Sequence, residues 1–124
     1  MAALGALILY TKRMDDMIAF YTLHFGFSVQ REEGDRIVEL RPPQGGVPLL
    51  LHPAPAGQRA GQAQTKLVFA VEDVQAFRDA ARAKGLEFGS IHTAAGYQFA
   101  NTKDPSGNSV SVSSRPGLAG LPSA

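Results

Sequence analysis

Few side chains in this sequence have the types and spacing that chemistry would need. The 124 residues include three histidines, twelve lysines and arginines, and eleven aspartates and glutamates, but no cysteine. Disulfides and thiolate metal sites are therefore excluded, and only histidine and carboxylate side chains could hold a metal ion. The sequence shows no carboxylate pair, serine-histidine-aspartate arrangement or phosphate-binding glycine loop beyond what chance occurrence would produce. It therefore predicts no catalytic residue.

Two cationic or titratable residues are the main candidates for contact with a ligand. His52 shares a face with Leu50 by alternation and could donate a hydrogen bond to a ligand. A lone histidine at the end of a strand is more often solvated or bonded to the backbone. The ammonium group of Lys66 could bind an anionic group of a ligand. Alternatively, Lys66 begins its strand and its long side chain extends the ammonium group into solvent. His24 and His92 are interpreted as structural or exposed.

Aromatic residues could supply walls for a binding cavity. The candidates are Tyr10, Phe25, Tyr97 and Phe99. Aromatic side chains of a small domain usually enter its core, so we expect about half of these four to reach a cavity. Tyr10 and Phe99 are the two that we assign to it.

The charge balance and hydropathy limit the partners. A formal net charge of +1 offers no electrostatic footprint for nucleic acid or for an anionic membrane. The apolar run from Ala6 to Tyr10 is far shorter than a membrane span, which needs about 20 residues. We therefore expect a soluble, cytoplasmic protein that binds neither nucleic acid nor a membrane.

Hydrophobic periodicity predicts two similar halves, each with one strand, one amphipathic helix and three further strands. A D-x-x-A-F run recurs in both predicted helices, at Asp16 to Phe20 and at Asp73 to Phe77. The predicted helices end at Gly26 and Gly85. The predicted strands are 4–10, 27–31, 36–41, 47–52, 66–71, 86–88, 97–102 and 109–113.

This pattern predicts an α+β protein built from two βαβββ modules. Module one takes residues 3–53, a linker rich in proline, glycine, alanine and glutamine takes 54–64, and module two takes 65–114. The tail 115–124 has no periodicity and is expected to fray. A different α+β fold, such as a ferredoxin-like dimer, is the alternative, and the second βαβββ unit argues against it.

Three segments, "IAFYTLHFGFSV", "LVFAVEDVQAFRDAARAKGLEF" and "DPSGNSVSV", resemble in order and spacing the vicinal-oxygen-chelate superfamily of glyoxalases, bleomycin-resistance proteins and extradiol dioxygenases. The resemblance covers residues 3 to 114. It implies that each module is a curled, half-open sheet, that the modules enclose a cavity, and that a dimer usually completes it. Fold alone does not assign chemistry.

The resemblance also implies four metal-ligand positions, which metal-using members fill with histidine, glutamine or glutamate. In this sequence they fall on Ala6, Leu50, Lys66 and Ser111. Methyl, isobutyl, ammonium and hydroxyl groups do not supply the converging lone pairs that a divalent ion needs. We therefore predict no metal and no cofactor, with Tyr10, Leu50, His52, Lys66, Phe99 and Ser111 lining a ligand cavity.

Three functions remain open at this point. The first is a metal-free homodimer resembling the bleomycin-resistance branch, which sequesters a small, partly aromatic molecule in a cleft. The second is a metal-dependent lyase or dioxygenase of the glyoxalase type, with displaced ligands such as His52. The third is a structural or regulatory dimer with a vestigial cavity.

Overall fold

A computed structural model describes residues 1–119 of the chain. Within it the chain divides into two compact units, one from Met1 to Ala60 and one that begins at Gly61. Each unit holds one helix and one four-stranded mixed sheet in the described residues. The prediction of an α+β fold with two βαβββ modules is thereby confirmed.

The first unit contains β1 (Leu7–Thr11), α1 (Met14–Phe25), β2 (Ser28–Arg31), β3 (Val38–Arg41) and β4 (Leu49–Pro53). Its strands lie in the order β1-β4-β3-β2, with β1 parallel to β4 and the other pairs antiparallel. The first strand begins at Leu7 rather than at the predicted Leu4. Leu4 is 69% exposed and lies before the residues that pair with β4.

Helix α1 begins with acidic residues in its first turn, where the helix dipole favours negative charge. It ends at Gly26, whose positive φ of 71° is the left-handed conformation that glycine adopts without strain. Met17 and Tyr21 are fully buried between α1 and the sheet. The helix therefore covers one face of the first sheet and leaves the other uncovered within this unit.

The second unit contains β5 (Lys66–Ala70), α2 (Val74–Ala83), β6 (His92–Thr93), β7 (Gln98–Lys103) and β8 (Ser109–Ser113). Its strands lie in the order β5-β8-β7-β6, with β5 parallel to β8. Asp73 caps α2 by accepting a 2.9 Å hydrogen bond from the Ala76 amide. Val74 and Ala81 turn the apolar side of this helix toward the sheet.

One predicted strand, 86–88, is wrong. This segment makes a single backbone bond to β7, from the Gly89 amide to the Asn101 carbonyl at 2.8 Å. The Glu87 carbonyl accepts from the Thr102 hydroxyl instead of a strand amide. Phe88 is buried and meets Phe77 of α2 edge-on at 6.0 Å. The apolar side chain of Phe88 therefore packs against α2. The strand that pairs with β7 at this edge is β6, further along the chain.

Each sheet has a face opposite its helix, which we call the open face of that unit. In the first unit it carries Ile8, Tyr10, Glu39, Leu50 and His52. In the second unit it carries Lys66, Val68, His92, Phe99, Asn101, Ser111 and Ser113. Ile8, Tyr10 and Val68 are each close to half exposed (47%, 48% and 49%), which is unusual for large apolar side chains on a central part of a strand.

Candidate functional site

The open face of the second unit holds Lys66 in a defined position. Its ammonium group donates a 3.0 Å hydrogen bond to the Asn101 side-chain oxygen. The same nitrogen lies 6.0 Å from the centroid of the Phe99 ring, at the edge of the range in which a cation is attracted by an aromatic face. Lys66 and Phe99, both predicted as cavity residues, are therefore neighbours on this face.

His92 is the functional candidate that the sequence did not reveal. Its ring stacks on Phe99 with a centroid distance of 5.1 Å and an interplanar angle of 27°. The contact follows from the antiparallel register, which pairs His92 of β6 with Phe99 of β7. The sequence predicts only a structural or exposed residue here, because the strand that carries His92 is too short, at two residues, to show a pattern.

Tyr97 extends the aromatic group on the same alternation of β7. Its ring lies 6.4 Å from that of Phe99. The guanidinium of Arg115 lies 5.5 Å from the Tyr97 ring centroid and donates a 3.2 Å bond to its hydroxyl oxygen. Three rings and two cations thus occupy neighbouring positions in this unit.

Ser111 lies beside this group but directs its hydroxyl into the sheet. Its Oγ donates to the Ala100 carbonyl at 3.1 Å. The residue is 2% exposed, so the hydroxyl is engaged with the backbone and is shielded from solvent. Ser111 contributes a small, flat floor to the open face rather than a projecting polar group.

The open face of the first unit pairs Tyr10 with His52 across the parallel strands β1 and β4. Their rings are 5.2 Å apart at an angle of 54°. His52 Nδ1 lies 2.8 Å from the Pro53 carbonyl oxygen, and because a carbonyl only accepts, Nδ1 carries the proton. In the neutral ring Nε2 is then an acceptor, and a contact of His52 with a ligand stays a prediction.

Leu50 is directly opposite Ile8 in the same register and is partly buried. Together they form the apolar part of the first unit's open face, next to Tyr10 and His52. Glu39, opposite Leu50 on β3, forms an ion pair with Arg41, two residues along the same strand and on the same face. This face can therefore offer an aromatic surface, an apolar patch and one hydrogen-bond acceptor on the imidazole.

Two further candidates belong to the helix side of the first unit. Phe25 lies 5.9 Å from Phe20 and 6.1 Å from Tyr21, within an aromatic cluster around α1. His24 meets Phe20 edge-on at 5.3 Å. Phe25 thus packs with the helix, and His24 has the structural position that the sequence suggested.

The four implied metal-ligand positions were tested against the chemistry of their side chains. Ala6 and Leu50 have no donor atom, Lys66 is a cation that already donates to Asn101, and Ser111 donates to the backbone. Within residues 1–119, no three histidine, cysteine, aspartate or glutamate side chains lie close enough to hold a metal ion. These positions do not fit a divalent ion, and no reaction step is derived through one.

Comparison with known families decides the relationship. The family model of the Glyoxalase/Bleomycin resistance protein/Dioxygenase superfamily matches residues 3–112. The chain belongs to this superfamily. A search of curated proteins found no match. No helix in the described part of this superfamily member is long and apolar enough to cross a membrane.

Solved structures show the same fold. A lactoylglutathione lyase from Agrobacterium tumefaciens is 23% identical, with a TM-score of 0.71 over 91% of this chain and 93% of that one. TnmS3, an antibiotic binding protein from Streptomyces sp. CB03234, is 19% identical, with a TM-score of 0.70 over 90% and 96%. A glyoxalase/bleomycin resistance protein from the same organism is 18% identical, with a TM-score of 0.67 over 87% and 97%. Identities this low support a shared fold and leave the branch of the superfamily open.

Proposed function

We propose that this protein is a metal-free, small-molecule-binding homodimer of the bleomycin-resistance type, which sequesters a small, partly aromatic ligand in a cleft. The observation that carries the proposal is the donor set at the four implied ligand positions. Ala6, Leu50, Lys66 and Ser111 offer no lone pair suited to a metal, while rings and a cation lie beside them. Such surfaces suit the binding of a ring with a polar substituent.

The two open faces support this function in different ways. Tyr10 and His52 give the first unit a tilted pair of rings beside apolar Leu50. Phe99 and His92 give the second unit a stacked pair beside Lys66. The antibiotic binding protein with the same fold is a precedent for the binding of a small molecule. We also propose the cytoplasm as the compartment, since nothing in the cysteine-free sequence calls for an oxidising one.

The first experiment is native mass spectrometry of the freshly purified protein. We expect a non-covalent adduct of drug-like mass that disappears on denaturation, because the bound ligand has only non-covalent contacts. Protein denatured and refolded without ligand is the control and should lack the adduct. A thermal-stability panel of aromatic antibiotics, bleomycin among them, then gives the ligand class. An adduct-free protein whose melting temperature no panel compound raises would contradict the proposal.

The second candidate function is a metal-dependent lyase or dioxygenase with displaced ligands. It is favoured by one observation, the acceptor Nε2 of His52, since a neutral imidazole nitrogen is a common metal ligand. The lactoylglutathione lyase with the same fold is its precedent. Incubation with zinc, nickel, manganese or iron, followed by dialysis and elemental analysis, separates the two functions. About one equivalent of metal per chain, lost in His52→Ala, would favour the enzyme; far less than one supports metal-free binding.

A further inference from the structure

The cations on the open face of the second unit have no acidic partners. Lys66 donates only to the neutral Asn101, and Arg115 donates to the Tyr97 hydroxyl. The ion pairs in the described residues involve other groups: Arg13 with Asp16, Arg41 with Glu39, and Arg82 with Glu87. Lys66 and Arg115 are therefore uncompensated cations beside an aromatic group, and Lys103 adds a third cation to the same face.

The carboxylates of this unit lie elsewhere. Asp73 caps α2, Asp79 accepts from Gln75 on the same helix, and Glu87 pairs with Arg82. Asp104 accepts from the Ser106 and Asn108 amides in the turn after β7. The described acidic residues from position 61 onward are Glu72, Asp73, Asp79, Glu87 and Asp104, and none is on the open face. The open face of this unit therefore has cations and no carboxylate in the described residues.

The aromatic group lies between Lys66 and Arg115. The Lys66 ammonium nitrogen lies 6.0 Å from the centroid of the Phe99 ring. The Tyr97 ring is the other neighbour of Phe99, and the Arg115 guanidinium lies 5.5 Å from the Tyr97 centroid. His92 stacks on Phe99, which fixes the orientation of the ring. A planar ring laid against Phe99 would therefore bring an acidic substituent within reach of a positive charge.

We infer that the open face of the second unit binds a planar aromatic anion, with its ring against Phe99 and its anionic group on Lys66. The inference rests on the proposed binding function and adds the charge and shape of the ligand. It follows from charge complementarity: three rings supply the apolar contact, and an unpaired ammonium group supplies a charge-assisted hydrogen bond.

The test is calorimetric titration with naphthoate and with the neutral naphthamide, which has nearly the same shape. We expect naphthoate to bind at least about tenfold more tightly than naphthamide, since a hydrogen bond to a charged group is worth more than a neutral one. Lys66→Met should remove that preference and leave the affinity for naphthamide within about twofold of the wild-type value. Raised salt should weaken naphthoate alone.

Lys84→Met is the matched control. Lys84 lies at the C-terminal end of α2, the helix that covers the other face of this sheet, and the substitution removes the same charge. It should change naphthoate affinity by less than about threefold. Phe99→Leu should weaken both compounds, because it removes the ring that both require.

Several outcomes would overturn the inference. Equal affinity of naphthoate and naphthamide, an unchanged preference in Lys66→Met, or an equal loss in Lys84→Met would each do so. Failure to bind either compound would also refute it, while the mass-spectrometric adduct reports separately on the proposed binding function. If Phe99→Lys turned a dimer into a monomer by light scattering and left naphthoate binding unchanged, this face would be a protein interface.

Discussion

Ser111 is the residue that the resemblance to metal-using relatives predicts at a ligand position, and its environment explains what a serine does there. The hydroxyl donates to the Ala100 carbonyl, so its polar group is satisfied inside the sheet. At 2% exposure the site tolerates a small side chain with a local partner and would penalise an unpaired carboxylate. The residue thus contributes to the sheet as well as to the shape of the open face.

Ser111→Ala tests this role. Loss of one neutral hydrogen bond to a carbonyl should lower the free energy of unfolding by about 1 kcal/mol or less. Ligand affinity should stay within about twofold, because the hydroxyl is directed into the backbone. Urea-induced unfolding and titration with the co-purified ligand measure the two effects. A tenfold loss of affinity with normal stability would show instead that the hydroxyl contacts the ligand.

At the residue level the sequence predicted identities better than contacts. Lys66 and Phe99, which the sequence assigned to one cavity, lie on the same face of the second sheet. It could not predict that Ser111 bonds to a carbonyl eleven residues away in sequence, or that His92 stacks on Phe99. Both contacts depend on strand register, which becomes fixed only when the two strands pair.

The turn between β7 and β8 delivers the Ser109–Ser113 strand, and its composition determines its geometry. The Asp104 carboxylate accepts from the Ser106 and Asn108 amides at 2.9 and 3.0 Å, which closes the turn from within. Gly107 follows with φ of 83°, and a Cβ there would lie 3.2 Å from the Gly61 Cα. Both backbone conformation and local space therefore require glycine.

Gly107→Ala should destabilise the fold more than an alanine substitution at a glycine whose positive φ is the only obstacle, because the added Cβ would also contact the backbone of Gly61. Gly85 is the matched control in the same unit, with φ of 90° and nothing within 4 Å of an added Cβ. We expect about 1 kcal/mol for Gly85→Ala and a further 1–2 kcal/mol for Gly107→Ala, measured by urea unfolding. Equal losses would mean that the backbone around Gly61 moves aside freely.

Long periodic elements were the easiest to predict. The glycine ends of both helices were predicted to within one residue, because a glycine that can adopt positive φ follows a clear apolar periodicity in each. It failed at 86–88, where three residues carry too little pattern to distinguish an edge strand from a segment that packs on a helix. Phe88 meets Phe77, and that contact lies between segments eleven residues apart.

At the scale of the whole molecule, the exposed apolar residues on the open face of the first unit favour association. Ile8 and Tyr10 are about half exposed (47% and 48%), although their strand is paired along its length with β4. Burial of such side chains contributes roughly 25 cal/mol for each Å² removed from water. A second copy of the chain that covered them would gain this free energy, in agreement with the proposed homodimer.

Light scattering in solution checks the oligomeric state. We expect a mass of about twice the 13.2 kDa of one chain. Ile8→Glu should raise the dissociation constant by at least about tenfold, since it would bury a charge in the contact. Leu23→Glu is the control on α1, where Leu23 is 53% exposed. A monomeric wild type, or a dimer broken only by Leu23→Glu, would contradict the proposed arrangement.

The hydrogen bond from Lys66 to Asn101 has a consequence for the entropy of binding. A free lysine side chain loses about 1.5–2 kcal/mol of rotamer freedom when it is fixed. Because Asn101 already restrains the ammonium group at 3.0 Å, much of that loss occurs on folding and is absent from the binding step. Asn101→Ala should therefore leave the enthalpy of naphthoate binding nearly unchanged and make its entropy less favourable. A purely enthalpic loss in calorimetry would show that Asn101 touches the ligand itself.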